Sequence, residues 1–259
     1  MSDRLAGRTI IVTGGASGIG AGISRGLATE GANVVIADLN LESGQAVAGE
    51  ITASGGSAIA TRVDITDRAT VSRGIAAAVA EFGRLDAYFN NAGMNTPMKF
   101  LEITERNFEL IVRVNALGVL IGIQESAKQF LAQGGGGKIV NTASIAGRTG
   151  FPSFAPYSAA KAAVISLTQS GARSLASDGI TVNAFAPGVV ATPLWTKLDA
   201  ELAKMGESDS GFDSMAGDIL LGRPAEPEDI APTAIFLASS DSDYITGQVI
   251  AIDGGMILV

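Results

Sequence analysis

The chain has 259 residues, 47% hydrophobic and 5% aromatic, with a formal net charge of −8 and neither histidine nor cysteine. That length suits one large domain or two small ones. The acidic balance, with no basic run, excludes a nucleic-acid partner, and the missing Cys and His exclude a zinc centre built on them as well as a disulfide framework.

No apolar run approaches the ~20 residues of a bilayer span, and the first residues lack the apolar stretch of a signal peptide. The expectation is a cytoplasmic protein with no membrane partner and no metal. In chain order, "TIIVTG" (9–14) reads as a buried strand, followed by a Gly-rich turn and a helix over 18–30. "NVVIAD" (33–38) is a second strand, with a helix over 41–53. "SAIATRVD" (57–64) is a third, with a helix over 67–82. "LDAYFNNAG" (85–93) holds a fourth, before a long helix over about 104–132. "GGGG" (134–137) joins that helix to a fifth strand, "GKIVNTAS" (137–144), whose helix runs from 157 to about 177. "ITVNAFAPG" (180–188) is a sixth strand and "QVIAIDGG" (248–255) a seventh. Between them, 189–222 reads as a mobile substrate flap with a short amphipathic helix, and 227–238 as a helix with Pro227 in its first turn. Pro232 inside that helix should cost a hydrogen bond and invites a kink.

Strands alternating with helices imply parallel βαβ units. Strands hydrophobic throughout are expected when both faces are covered. Both a doubly wound sheet and a barrel satisfy this pattern, and the first turn favours the sheet. No repeat or linker divides the chain, so 1–259 reads as a single domain.

That first turn, "TGGASGIG" (13–20), lies between a strand and a helix. Gly14, Gly18 and Gly20 depart from G-x-G-x-x-G, but the physics is the same: glycines let the backbone approach a pyrophosphate held at a helix N-terminus. Asp38 ends the second strand, 18 residues beyond Gly20. A carboxylate there accepts hydrogen bonds from an adenosine ribose and repels a 2′-phosphate. Leu39, Asn40 and Ser17 offer that phosphate no cation, so the reading is NAD over NADP. "YSAAK" sets Tyr157 and Lys161 on one helix face. Such a pair alone is usually surface decoration. Its functional reading is that the lysine lowers the phenol's pKa from ~10, so that it exchanges a proton near neutral pH.

With "NNAG" (90–93), Asn115, Ser144, Tyr157-x-x-x-Lys161 and "PGVVATP" (187–193) added in this order, the chain resembles the short-chain dehydrogenase/reductase family over nearly its whole length. The resemblance implies an α/β Rossmann-type doubly wound parallel sheet of about seven strands with helices on both faces. It also implies hydride transfer between NAD(H) and a CH–OH group. Tyr157 would be the acid/base, Lys161 would lower its pKa and hold the nicotinamide ribose, Ser144 would bond the substrate oxygen, and Asn115 would anchor a relay water. Ser17, Gly18, Ile19 and Gly20 would meet the phosphates, with Leu39 beside Asp38. Asn91, Ala92 and Gly93 would line the cofactor, Asp64 would contact adenine with Ile65 packed on its ring, and Pro187, Gly188, Val190 and Thr192 would lie on the nicotinamide side. The small residues Ala162, Ala163, Ser166, Ser170 and Ala172 suit the helix pairing by which such proteins form homotetramers.

Substrate residues are thinner. Ile145 follows the serine where several relatives are polar, and Trp195, like Leu194, either touches substrate or packs the flap. The stretch 222–256 is similar to bacterial acetoin (diacetyl) reductases, also called 2,3-butanediol dehydrogenases, and 157–190 resembles those and bacterial sorbitol and other polyol dehydrogenases. Asp199, Glu201, Glu207, Asp209 and Asp213 against Lys197 and Lys204 disfavour anionic substrates, leaving a small neutral diol, acyloin or polyol. A 3-oxoacyl-thioester reductase is opposed by Asp38. A non-catalytic dinucleotide-binding regulator is opposed by the intact Asn115, Ser144, Tyr157 and Lys161 set.

Overall fold

A computed structural model describes residues 3–258. Its seven strands are β1 (Thr9–Thr13), β2 (Asn33–Asp38), β3 (Ser57–Arg62), β4 (Ala87–Asn90), β5 (Gly137–Thr142), β6 (Ile180–Pro187) and β7 (Val249–Ile252). All pair in parallel, in the order β3-β2-β1-β4-β5-β6-β7. The order reverses between β1 and β4, which is where a doubly wound sheet opens a ligand crevice at its carboxyl end.

The helices are α1 (Gly18–Thr29), α2 (Leu41–Ala53), α3 (Arg68–Phe82), α4 (Glu105–Val112), α5 (Gly118–Gln133), α6 (Ala155–Leu175), α7 (Pro193–Lys204), α8 (Phe212–Ala216) and α9 (Pro227–Ala238). Successive strand side chains point to opposite faces, and each face is dry. Ile10, Val12, Val34, Ile36, Phe89, Val140 and Phe185 pack with α1, α2 and α9. Ile11, Val35, Tyr88, Ile139, Val182 and Ala184 pack with α3, α5 and α6. That two-sided burial is why the strands read as continuous apolar runs.

Several boundaries differ from the sequence expectation. The seventh strand is half as long as 248–255, since Gly254 and Gly255 take positive φ and leave it. The helix carrying Tyr157 starts two residues earlier, at Ala155. The long helix over 104–132 is α4 and α5 joined by one π turn, Arg113–Leu117, in which the Gly118 N–H reaches back to Arg113 O. Taken together, Glu105–Gln133 is long and apolar enough to cross a bilayer, contrary to the sequence reading, but more than half of that stretch is buried in the protein. The flap carries two helices, α7 and α8, in place of one. α9 runs unbroken through Pro232, which is exposed, as is Glu228 one turn earlier, so the backbone bond that proline cannot donate is lost on the outer side of the helix.

Candidate active site

Two adjoining cavities open at the carboxyl end of the sheet. The larger, about 390 Å³, runs from Asp38 to Lys161 over the β1–β4 crevice. Its walls include Gly14, Ser17, Gly18, Ile19, Gly20, Asp38, Leu39, Asp64, Ile65, Asn91, Ala92, Gly93, Tyr157, Lys161 and Thr192. Pro187, Gly188 and Val190 instead line the smaller one, about 110 Å³, together with Ser144, Ile145 and Trp195. Tyr157, Ile19, Thr142, Thr192 and Leu194 belong to both.

The turn after β1 is built for close approach. Gly14 has φ +64, and a Cβ there would lie 2.8 Å from Ala92 Cα. A Cβ at Gly20 would lie 2.1 Å from Gly14 O, so no side chain fits. Ser17 caps α1 in extended geometry without a side-chain bond, and no acidic residue occupies the first turn. The N-terminal amides therefore face the cleft with a favourable dipole for an anion. Asn91 stitches the crevice: its Nδ2 donates to Thr13 O at 3.0 Å, and its Oδ1 accepts from Thr142 Oγ1 at 3.3 Å. At the far end, Asp38 accepts from the Ala16 amide at 3.1 Å and the Asn40 amide at 3.0 Å. The same carboxylate thus holds the turn and edges the cleft. Asp64 likewise turns its own loop, accepting from Thr66 N and Oγ1, both at 2.8 Å, while Ile65 packs against Gly118. A glycine-walled cleft with uncapped amides in its middle and a carboxylate at one end fits a dinucleotide.

At the other end, Ser144 follows β5, its Oγ accepting from the Ala146 amide at 3.1 Å and hydrogen-bonding the Tyr157 phenol. Lys161 is buried. Its Nζ donates to Thr142 O at 2.6 Å and stands 5.5 Å from the Tyr157 ring centroid. Burial pushes the Tyr157 phenol up to about 12, against the opposing effect of the Ser144 hydrogen bond, and pushes the Lys161 ammonium down to about 8. Burial, and not the lysine expected to lower it, sets the direction of the phenol's shift in the protein alone. In the protein alone the ammonium is spent on a backbone carbonyl, and desolvation wins.

Asn115 lines neither cavity. It is fully buried, with Nδ2 donating to Met94 O at 2.8 Å and Ile111 O at 2.9 Å and Oδ1 accepting from Met94 N at 3.2 Å. It pins the π turn to the segment after β4. Trp195 lines the smaller cavity and packs edge-on against Phe154 (centroids 6.4 Å apart) and Phe212 (5.6 Å). Asn95, Phe151, Phe154 and Met215 also line that cavity and were not singled out by sequence. Only Asn95 carried a signal, lying two residues beyond NNAG.

A phenol at the junction of a dinucleotide-shaped cleft and a small apolar pocket defines a nicotinamide-type oxidoreductase. A family model described as enoyl-(acyl carrier protein) reductase matches residues 14–257. The chain is 42% identical over 253 residues to diacetyl reductase [(S)-acetoin forming] of Staphylococcus epidermidis, covering 96% of this chain and 98% of that one. It is 43% identical over 254 residues to L-2,3-butanediol dehydrogenase of Corynebacterium glutamicum, with 96% and 98% covered. A crystal structure of a short-chain type dehydrogenase/reductase from Mycobacterium marinum superposes with TM-score 0.89 at 33% identity, covering 98% and 97%. The chain belongs to the short-chain dehydrogenase/reductase family and is an oxidoreductase of secondary alcohols and ketones.

Proposed function

We propose that the enzyme uses NAD(H) in preference to NADP(H) on a small neutral vicinal diol, acyloin or polyol, working as one catalytic domain with 189–222 as its flap. The observation that carries the cofactor choice is Asp38. Its carboxylate edges the cleft, Leu39 beside it is exposed, and Lys161 at the opposite end is the only cation among the described residues lining that cleft. Arg62 sits beside Asp38 in the strand register but does not line the cleft. A 2′-phosphate would meet repulsion without compensation.

Bound there, the cofactor supplies or accepts a hydride at the substrate carbon. The Gly14–Gly20 turn and the amides of α1 would hold its phosphates, and Lys161 would hold its ribose hydroxyls. Ser144 and Tyr157, hydrogen-bonded to each other, converge on one substrate oxygen. The phenol gives that oxygen a proton in reduction and takes it back in oxidation. Ile145, Phe154 and Trp195 keep water from the reacting carbon, and the acidic flap turns away phosphorylated or CoA-linked compounds. The test is kcat/KM with NADH and NADPH for acetoin, butanediol and sorbitol against acetoacetyl-CoA. Faster use of the thioester overturns the substrate assignment in favour of an acyl reductase, and faster use of NADPH overturns the cofactor assignment.

A further inference from the structure

The pocket beside Ser144 and Tyr157 holds a polar side chain with nothing to bond. Asn95 lines it, half-buried, and its amide makes no hydrogen bond among the described residues. The backbone it projects from is fixed. Asn115 grips both the N–H and the carbonyl of Met94, the residue before it, at 3.2 and 2.8 Å. An uncommitted amide on a clamped peptide is a preorganised contact waiting for a ligand group.

Around it the wall is apolar: Ile145, Phe151, Phe154, Trp195 and Met215. The pocket measures about 110 Å³. An apolar cavity of ~150 Å³ takes a benzene ring, so this pocket by itself seats about half a dozen non-hydrogen atoms, and a longer substrate would have to extend into the adjoining cleft. A hexitol carries twice that number.

We infer that Asn95 is a specificity-determining residue that holds the oxygen on the carbon next to the reacting one, and that the site takes a short α-diketone or acyloin in preference to a polyol. The inference rests on the secondary-alcohol reading of the same site. An amide suits both members of such a redox pair: its NH₂ donates to a carbonyl, and its oxygen accepts from a hydroxyl. Ser144 and Tyr157 take one oxygen and Asn95 the neighbouring one. A third hydroxyl would lie against the aromatic wall and lose its water without replacement. A pocket of that kind disfavours each added hydroxyl by up to about a hundredfold.

The experiment follows NADH consumption by the full chain on butane-2,3-dione and on butan-2-one, which differs by lacking the second oxygen. In the wild type, kcat/KM should favour the dione. In Asn95→Ala that preference, read as the ratio of the two kcat/KM values, should fall about tenfold or more, with NADH affinity by fluorescence retained, and Asn95→Ser should recover part of it. A ratio unchanged in Asn95→Ala overturns the role of the amide. Sorbitol oxidised with a higher kcat/KM than butane-2,3-diol overturns the exclusion of polyols while leaving the secondary-alcohol reading standing. A wild type that turns over none of these compounds removes both.

Discussion

Lys161 donates its ammonium to the main-chain oxygen of Thr142 at 2.6 Å, two residues upstream of Ser144. The bond ties α6, which carries Tyr157, to the end of β5, which positions Ser144. It also leaves the phenol under the control of burial, which holds it near 12. In the free protein, absorbance titration of wild type minus Tyr157→Phe should therefore show no phenolate forming below about pH 10. Folding raises this acid's pKa, so the proton is held more tightly than in the unfolded chain between those limits. A midpoint in the difference spectrum near neutrality would mean that the ammonium overrides burial.

Tyr157→Phe should abolish turnover while NADH still binds, because the phenol acts on the substrate's proton. Retention of more than a tenth of wild-type kcat, a loss under about 1.4 kcal/mol, would remove Tyr157 from the acid/base role.

Asp38→Ala with Leu39→Arg should move preference toward NADPH by removing a repulsive carboxylate and adding a phosphate partner. The same carboxylate bonds the Ala16 and Asn40 amides, so the variant should also melt earlier. Ratios of kcat/KM for the two cofactors check the first outcome and calorimetry the second. A wild type already faster with NADPH would refute the reading of this end of the cleft.

Glu125 on α5 is largely buried and gathers Arg68, Ser72 and Lys128. Burial raises its pKa, but the hydrogen bonds from Lys128, Ser72 and Arg68 outweigh that and bring it to about 2. A depressed carboxyl stabilises the fold above its unfolded pKa, and that contribution is lost as pH falls toward the folded value. Glu125→Gln should accordingly lower Tm at pH 6, and the gap should close between about pH 4.5 and pH 2. A gap independent of pH would show a packing effect only.

The outer face of α6 exposes Ala162, Ser166 and Ser170, small enough for another helix to approach closely. We expect a homotetramer in solution; a monomeric mass by light scattering at micromolar concentration would refute it.

Most of the fold was legible because both sheet faces are dry. An apolar run such as "NVVIAD" then marks a strand without ambiguity, and β2 falls on the residues expected. The glycine turn was legible for a similar reason, since only glycine survives where Gly20 meets Gly14 O. What could not be read were contacts made by the backbone. Nothing in the sequence says that Lys161 will find a carbonyl nineteen residues earlier, or that Asn115 will spend its amide on Met94 and Ile111. Trp195 was undecidable because its neighbours Phe154, just before α6, and Phe212, at the start of α8, are far apart in sequence and meet only in three dimensions.

The π turn at Arg113–Leu117 has a consequence for how this gene tolerates change. One residue more than a regular helix needs rotates everything after it by about 100°. Ile123, Ala127 and Phe130 of α5, which share one helix face, pack into the core against the sheet in the register that offset gives them, while Ile111 of α4 is buried against α6. Substitutions around Asn115 would be judged one side chain at a time. Loss of a single codon anywhere in the turn would restore an ordinary helix and swing the whole apolar stripe of α5 into water, so an in-frame deletion here should be far more damaging than any point mutation beside it.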